Sequence, residues 1–200
     1  MNGAFKQKGT KLNASGDATF DVTGIDSDND YILFYRDVVP SSDNVYFRCR
    51  VLEGGSVNTD SEYDRAAYMY KAAVAFDDAH GQNGDSLQLQ SEQTGTDTHE
   101  MVNGYIRIHG ANNASAPTHM SFHNTGRDRS NNHLGEIGVF EFHKDSAVNG
   151  LQFFMTSGNI AQGEFTLYEI VSQWVIYLQM QLHSLLKVIK VCLHLIKLLN

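Results

Sequence analysis

The sequence predicts an all-β chain, a jelly-roll-like antiparallel β-sandwich followed by a C-terminal amphipathic helix. Short apolar runs recur through residues 18–170, cut by clusters of Gly, Asn, Asp and Ser. The clusters return roughly every 8–15 residues, the spacing of a sandwich or jelly roll. Several runs alternate apolar and polar side chains with period two, as half-buried strands do. The pattern stops abruptly at residue 171, where a basic, apolar segment with helical spacing takes over.

Residues 1–17, rich in Gly, Ser and Lys, read as a polar N-terminal arm. Without an apolar centre the segment does not have the form of a secretory signal. Strands are then expected over 18–25, 31–37, 44–52, 63–74, 86–90, 101–109, 117–124, 134–143, 147–156 and 164–170. The run at 44–52 is the clearest: Val45, Phe47, Cys49 and Val51 face one way, and Tyr46, Arg48 and Arg50 the other. In 101–109, Val102, Ile106 and Ile108 oppose Tyr105, Arg107 and His109. In 134–143, Ile137 and Val139 share a face with Glu141, so that strand is expected to be covered over only part of its length. In YDRAAYMYKAAV, residues 63–74, the alanines favour a helix and the tyrosines a strand; its strand neighbours tip the reading to strand. Leu151, Phe153 and Met155 share a face of one late strand, and Phe165 and Leu167 a face of the next, with Ser157, Gly158 and Asn159 turning between them.

In the tail, Lys187, Lys190, His194 and Lys197 are spaced 3, 4 and 3 and mark one helical face. Its longest uninterrupted apolar run, Trp174–Leu178, is too short for a clean membrane span. Three readings stand for 171–200: an assembly helix packed on other protein, an interfacial membrane helix, or a non-native tail left by a frame change or fusion.

The net charge of −8 is unevenly spread. The tail has three lysines and no acids, which leaves residues 1–170 at −11. Such a domain is repelled by phosphate backbones, so nucleic acid is not an expected partner. Cys49 and Cys192 lie far apart and give no disulfide framework; Cys49 reads as a small buried hydrophobe.

Asp26, Asp28 and Asp30 have the D-x-D-x-D spacing of a calcium loop, but Tyr31 stands where the loop needs Gly. A solvated turn is the simpler reading. His119 and His123 fall on one strand face about 13 Å apart, too far to share a metal ion. No G-x-S-x-G, H-E-x-x-H, phosphate loop or C-x-x-C is present. No enzymatic activity, cofactor or metal is expected.

Aromatic strips on polar faces point to recognition. Tyr31 with Tyr35, and Tyr68 with Tyr70, share faces at two-residue or four-residue spacing. Tyr105, Arg107 and His109 form a polar-aromatic strip that could stack on a sugar or on protein. The loops 112–117 and 126–133 are rich in Asn and Arg, on the scaffold positions where recognition concentrates. The candidate recognition residues are Tyr105, Arg107, His109, Arg127, Arg129, Asn131 and Asn132.

Two stretches carry a resemblance. FFMTSGNIAQGEFTLY, residues 153–168, is similar to the last hairpin of small β-sandwich virion proteins of tailed bacteriophages. YILFYRDVVPSSDNVYFRCR, residues 31–50, is similar to their second and third strands, and Asp21–Ile25 and Gly104–Ile108 fit the same layout. The resemblance implies a non-enzymatic virion structural protein, foremost a tail-fibre or adhesin-like domain for host-surface recognition. A capsid decoration (cement) protein and a carbohydrate-binding module are the alternatives. Its implied partners are other virion proteins, further copies of itself (a trimer is the guess) and a host-surface glycan or protein.

Overall fold

The structure is a computed structural model and describes residues 3–72 and 74–172. Among the described residues there is no helix, and thirteen strands follow one another. They are β1 (Gly3–Ala14), β2 (Thr19–Thr23), β3 (Asp30–Pro40), β4 (Phe47–Glu53), β5 (Ser56–Val57), β6 (Tyr63–Lys71), β7 (Val74–Gly84), β8 (Leu87–Gln88), β9 (Val102–His109), β10 (Thr118–Arg127), β11 (His133–Phe142), β12 (Val148–Met155) and β13 (Ile160–Ser172). Residues 7–169 form one compact unit, which carries the core; the outer ends of β1 and β13 belong to a separate unit. The expected tail helix lies outside the described residues.

Two sheets are formed. The larger runs β1-β13-β3-β9-β10-β11-β6-β7, and the smaller β2-β12-β4-β5, with β8 also on β4. The pairs from β3 through β9, β10, β11 and β6 to β7 are antiparallel, as are β2–β12 and β12–β4. Both sheets turn their apolar faces to one core. Phe47 and Phe153 from the smaller sheet meet Tyr35 and Phe165 from the larger. Ring centroids are 5.5 Å apart for Tyr35–Phe47, 5.6 Å for Phe47–Phe153 and 4.8 Å for Phe153–Phe165. Phe20 on β2 closes the series, 4.9 Å from Phe165. The chain is therefore an antiparallel β-sandwich.

The expected inward faces of β4, β9 and β12 are the observed ones: Phe47, Cys49, Val51, Val102, Ile106, Ile108, Leu151, Phe153 and Met155 are all buried. Burial pushes the Cys49 thiol far up its range, so it stays protonated and acts as packing. Residues 63–71 are strand, the side of the ambiguity the sequence reading took.

Four features differ from expectation. Residues 3–14, within the segment read as a polar arm, form β1 beside β13. Residues 74–84 form β7, an edge strand whose polar sequence, VAFDDAHGQNG, hides its pairing with β6. On β11 the inward set is Leu134, Glu136, Gly138, Phe140 and Phe142, so Ile137 and Val139 point outward, 49% and 55% exposed. The inward Glu136 is fully buried because Arg65 pairs with it and the Ser91 N–H donates to it at 2.8 Å. Tyr31 and Tyr35, expected on an exposed strip, are core residues that share an inward face with Leu33.

β3 also carries a bulge. Its register with β9 shifts between Tyr35 and Val38, where Asp37 takes a φ of 52° and its N–H donates to Asn103 Oδ1 at 2.8 Å. The extra residue resets the alternation, so Tyr35 and Val38 both face inward.

The cross-sheet aromatic series predicts an asymmetric pair of truncations. Phe153→Ala should cost about 3–5 kcal/mol in denaturant unfolding, as a fully buried ring does. Val139→Ala, on the outer face, should stay within about 0.5 kcal/mol of the parent.

Candidate functional site

The outer face of the larger sheet gathers most of the exposed large apolar side chains. Phe34, Tyr68, Tyr70, Phe76, Ile137 and Val139 all stand there. The strand registers explain the gathering. Phe34 pairs with Tyr105, Tyr105 with His123, His123 with Ile137, and Ile137 with Tyr68. Since neighbours across a ladder share a face, these residues form one row across β3, β9, β10, β11 and β6. The next row runs Ile32, Arg107, Ser121, Val139, Ala66 and His80.

In the second row Ser121 and Ala66 are small, and a trough is left over them. One part, of about 540 Å³, is walled by Tyr105 on β9 and Tyr68 on β6; His123 and Ile137 stand between the walls in the same row, and Ser121, Val139 and Ala66 floor the adjoining row. It continues over the same three floor residues into a second part of about 650 Å³, bordered by His80, His109, His119, Asp64 and Glu141. Tyr105 and Tyr68 lie three strand spacings apart, about 14 Å. That span takes two or three hexose-sized rings lying flat.

The wall side chains are held in place. The Tyr105 ring meets Phe34 at 5.9 Å and His123 edge-on at 5.9 Å. The Tyr70 hydroxyl is 2.8 Å from His123 Nε2. A Cβ on Gly135 would overlap the Tyr70 ring, so this glycine lets the tyrosine lie across β11. Tyr68 stacks on Phe76 of the edge strand at 5.6 Å. Asp30 fixes the far end of β9: Arg107 donates to its Oδ2 at 2.8 Å, and His109 Nδ1 lies 3.0 Å from the same oxygen. A rim of Asp30, Asp64, Asp78 and Glu141 against Arg107 makes the surroundings acidic.

Of the expected recognition residues, Tyr105, Arg107 and His109 lie on this face. Arg127 shares the face, since it alternates outward with His119 and His123 on β10, but it stands four residues from His123, about 14 Å along the strand. Arg129, Asn131 and Asn132 lie in the turn beyond it. The turn spends its polar groups on itself. Arg127 donates to Asn131 Oδ1 at 2.7 Å. Asp128 accepts from the backbone N–H groups of Ser130 and Asn132 at 2.9 and 2.8 Å, and pairs with Lys71 at 2.5 Å. Arg129 is exposed, its backbone N–H on the Gln93 carbonyl.

The sequence reading named Tyr68 and Tyr70 but did not join them to the Tyr105 strip. It missed Phe34, Ser121, His123 and Ala66 as parts of one surface. A usable signal was present in β11, where Leu134, Phe140 and Phe142 outweigh Ile137 and Val139 as the inward set.

The aspartates of the 26–30 turn do not converge. Asp26 pairs with Lys8 at 2.8 Å, while the Tyr31 hydroxyl accepts the Ser27 N–H at 3.1 Å. Asp28 is exposed, and Asp30 serves Arg107 and His109. Among the described residues no three His, Cys, Asp or Glu side chains group as a metal site.

No family model and no curated protein matches the chain. A solved structure with some likeness is the CBM2 module of the evolved Dit of Lactobacillus casei BL23 phage J-1. It is 11% identical, with 84% of this chain and 77% of that one covered, at a TM-score of 0.26. At that score the likeness decides neither fold nor ligand.

The Asp128 clamp gives a pH prediction. Burial alone would raise its carboxyl, but the Lys71 ammonium and the Asn132 and Ser130 donors outweigh burial and hold it below its ordinary 3.8. A depressed carboxylate stabilises the fold above its unfolded value and loses that contribution as pH falls through the folded value. Asp128→Asn should therefore cost about 3 kcal/mol in urea unfolding near neutral pH. The gap to the parent should be full above pH 3.8 and close progressively below it.

Proposed function

We propose that this chain is a non-enzymatic virion protein of a tailed bacteriophage, with jelly-roll-like wiring, that recognises a saccharide on the host surface. The observation that carries the saccharide reading is the trough between Tyr105 and Tyr68. Its flanking aromatic rings, with the exposed Ile137 and Val139 between them, suit the flat apolar faces of hexoses. His123 and His119, which line it, supply imidazole nitrogens for hydrogen bonding. The acidic rim, on a domain of net charge −11 over residues 1–170, favours uncharged sugars over uronic or sialic acids. The virion assignment rests on the resemblance of residues 31–50 and 153–168 to phage β-sandwich proteins. Other virion proteins and further copies of the chain, with a trimer as the guess, are the proposed assembly partners.

Capsid decoration is the second reading, and Ile137 and Val139 favour it. Two aliphatic side chains open to water in the middle of a sheet face suit a protein contact as well as a sugar.

Binding of the full chain to neutral oligosaccharides from the host envelope tests the first reading. Tyr105→Ala and Tyr68→Ala should each weaken binding about tenfold, ~1.4 kcal/mol, with unfolding nearly unchanged. If no host glycan binds, while Ile137→Arg releases the protein from capsids, the decoration reading replaces it. Immunogold label at tail tips or over the head separates the two on intact particles.

A further inference from the structure

A second site lies where the β3–β4 loop meets the segment before β9. Val45 and Thr94 exchange backbone hydrogen bonds at 3.0 and 2.9 Å, which brings Asp43 beside Gly95. A Cβ on Gly95 would overlap both Asp43 Oδ1 and Glu100 Oε2. Two carboxylate oxygens therefore crowd one point that only a glycine leaves to them.

Like charges so placed repel until one takes up a proton or a cation stands between them, and burial, with Asp97 and Asp43 nearby, raises the Glu100 carboxyl. Among the described residues, no lysine, arginine or histidine is within ion-pair distance of Asp43 or Glu100. Glu100 is 2% exposed, and its Oε1 has no hydrogen-bond partner. Thr94, fully buried beside Gly95, carries a second oxygen in the same condition, Oγ1. The Asp97 backbone N–H donates to Glu100 Oε2 at 3.2 Å. Asp43 already accepts the Asn44 backbone N–H and side-chain Nδ2, both at 3.0 Å, so the acceptor capacity left over is the buried Glu100 Oε1 and Thr94 Oγ1.

We propose that Asp43 and Glu100 bind one divalent cation, a calcium ion, that ties the β3–β4 loop to the 94–100 segment. All donors are oxygens, the set that hard cations take. Oxygens on one calcium ion at 2.3–2.6 Å sit up to about 5 Å apart, which fits two groups crowding the same point. Two carboxylates with neutral oxygens and water complete such a sphere. Asp43 and Glu100 are far apart in sequence, so no motif announces them.

Calorimetric titration of the full chain, stripped with EDTA and given CaCl2, tests the proposal together with thermal melts. Calcium should bind one to one and raise Tm by several degrees. Asp43→Asn, on the exposed side of the site, should abolish both effects. Asp28→Asn, in the exposed aspartate turn, should preserve both, which separates this site from general attraction to an acidic surface. The proposal fails if calcium gives neither heat nor a Tm shift up to about 10 mM, a range that covers even weak extracellular sites. It also fails if Asp43→Asn responds as the parent does.

Discussion

The contact on which the rest of the molecule depends is the aromatic series through the middle of the sandwich. Tyr35, Phe47, Phe153, Phe165 and Phe20 pass from one sheet to the other and back. Each ring is large, and pairs at these separations add to the area term. The consequence reaches the surface. Because Tyr35, Ile106, Met120, Phe140 and Met69 must face inward, the residues between them must face outward. Period-two alternation then sets Tyr105, His123, Ile137 and Tyr68 in one row. The trough is what remains on the far side of a sheet whose near side is committed to the core.

Much of this was legible in the sequence, for a physical reason. Where a strand's two faces differ strongly in polarity, as in VYFRCRVL, alternation leaves one sensible orientation. It fails where both faces carry apolar groups. β11 has Ile137 and Val139 on one side and Leu134, Phe140 and Phe142 on the other, and its inward set includes a charged Glu136 that only Arg65 and Ser91, distant in sequence, make tolerable. It fails also where pairing rather than burial makes the strand. β7 has few apolar residues and lies at an edge, so its strand character comes from the ladder with β6. Tyr31 shows a third limit. Its ring is core while its hydroxyl caps the aspartate turn, a dual role that invites reading it as a surface aromatic.

The candidate surface was legible only in pieces. Tyr105, Arg107 and His109 follow from one strand's pattern. Their neighbours follow from the order β9-β10-β11-β6, which joins residues 63–71 to residues 133–142 across a long stretch of chain. No local pattern contains that pairing. The β10–β11 turn shows the opposite case. Its Arg and Asn residues look available, yet Asp128, Lys71 and the turn's backbone N–H groups use most of them internally. Polarity in a loop marks hydrogen-bonding capacity, and here much of that capacity builds the loop itself.

Histidine footprinting tests the central claim, that the outer face of the larger sheet is the recognition surface. Diethyl pyrocarbonate modifies accessible imidazoles, and His109, His119 and His123 lie along the trough, while His99 and His133 lie away from it. With host-envelope polysaccharide bound, the account predicts that His109, His119 and His123 lose labelling while His99 keeps it. Protection of His99 or His133 with the trough histidines unchanged would place recognition elsewhere and contradict the account.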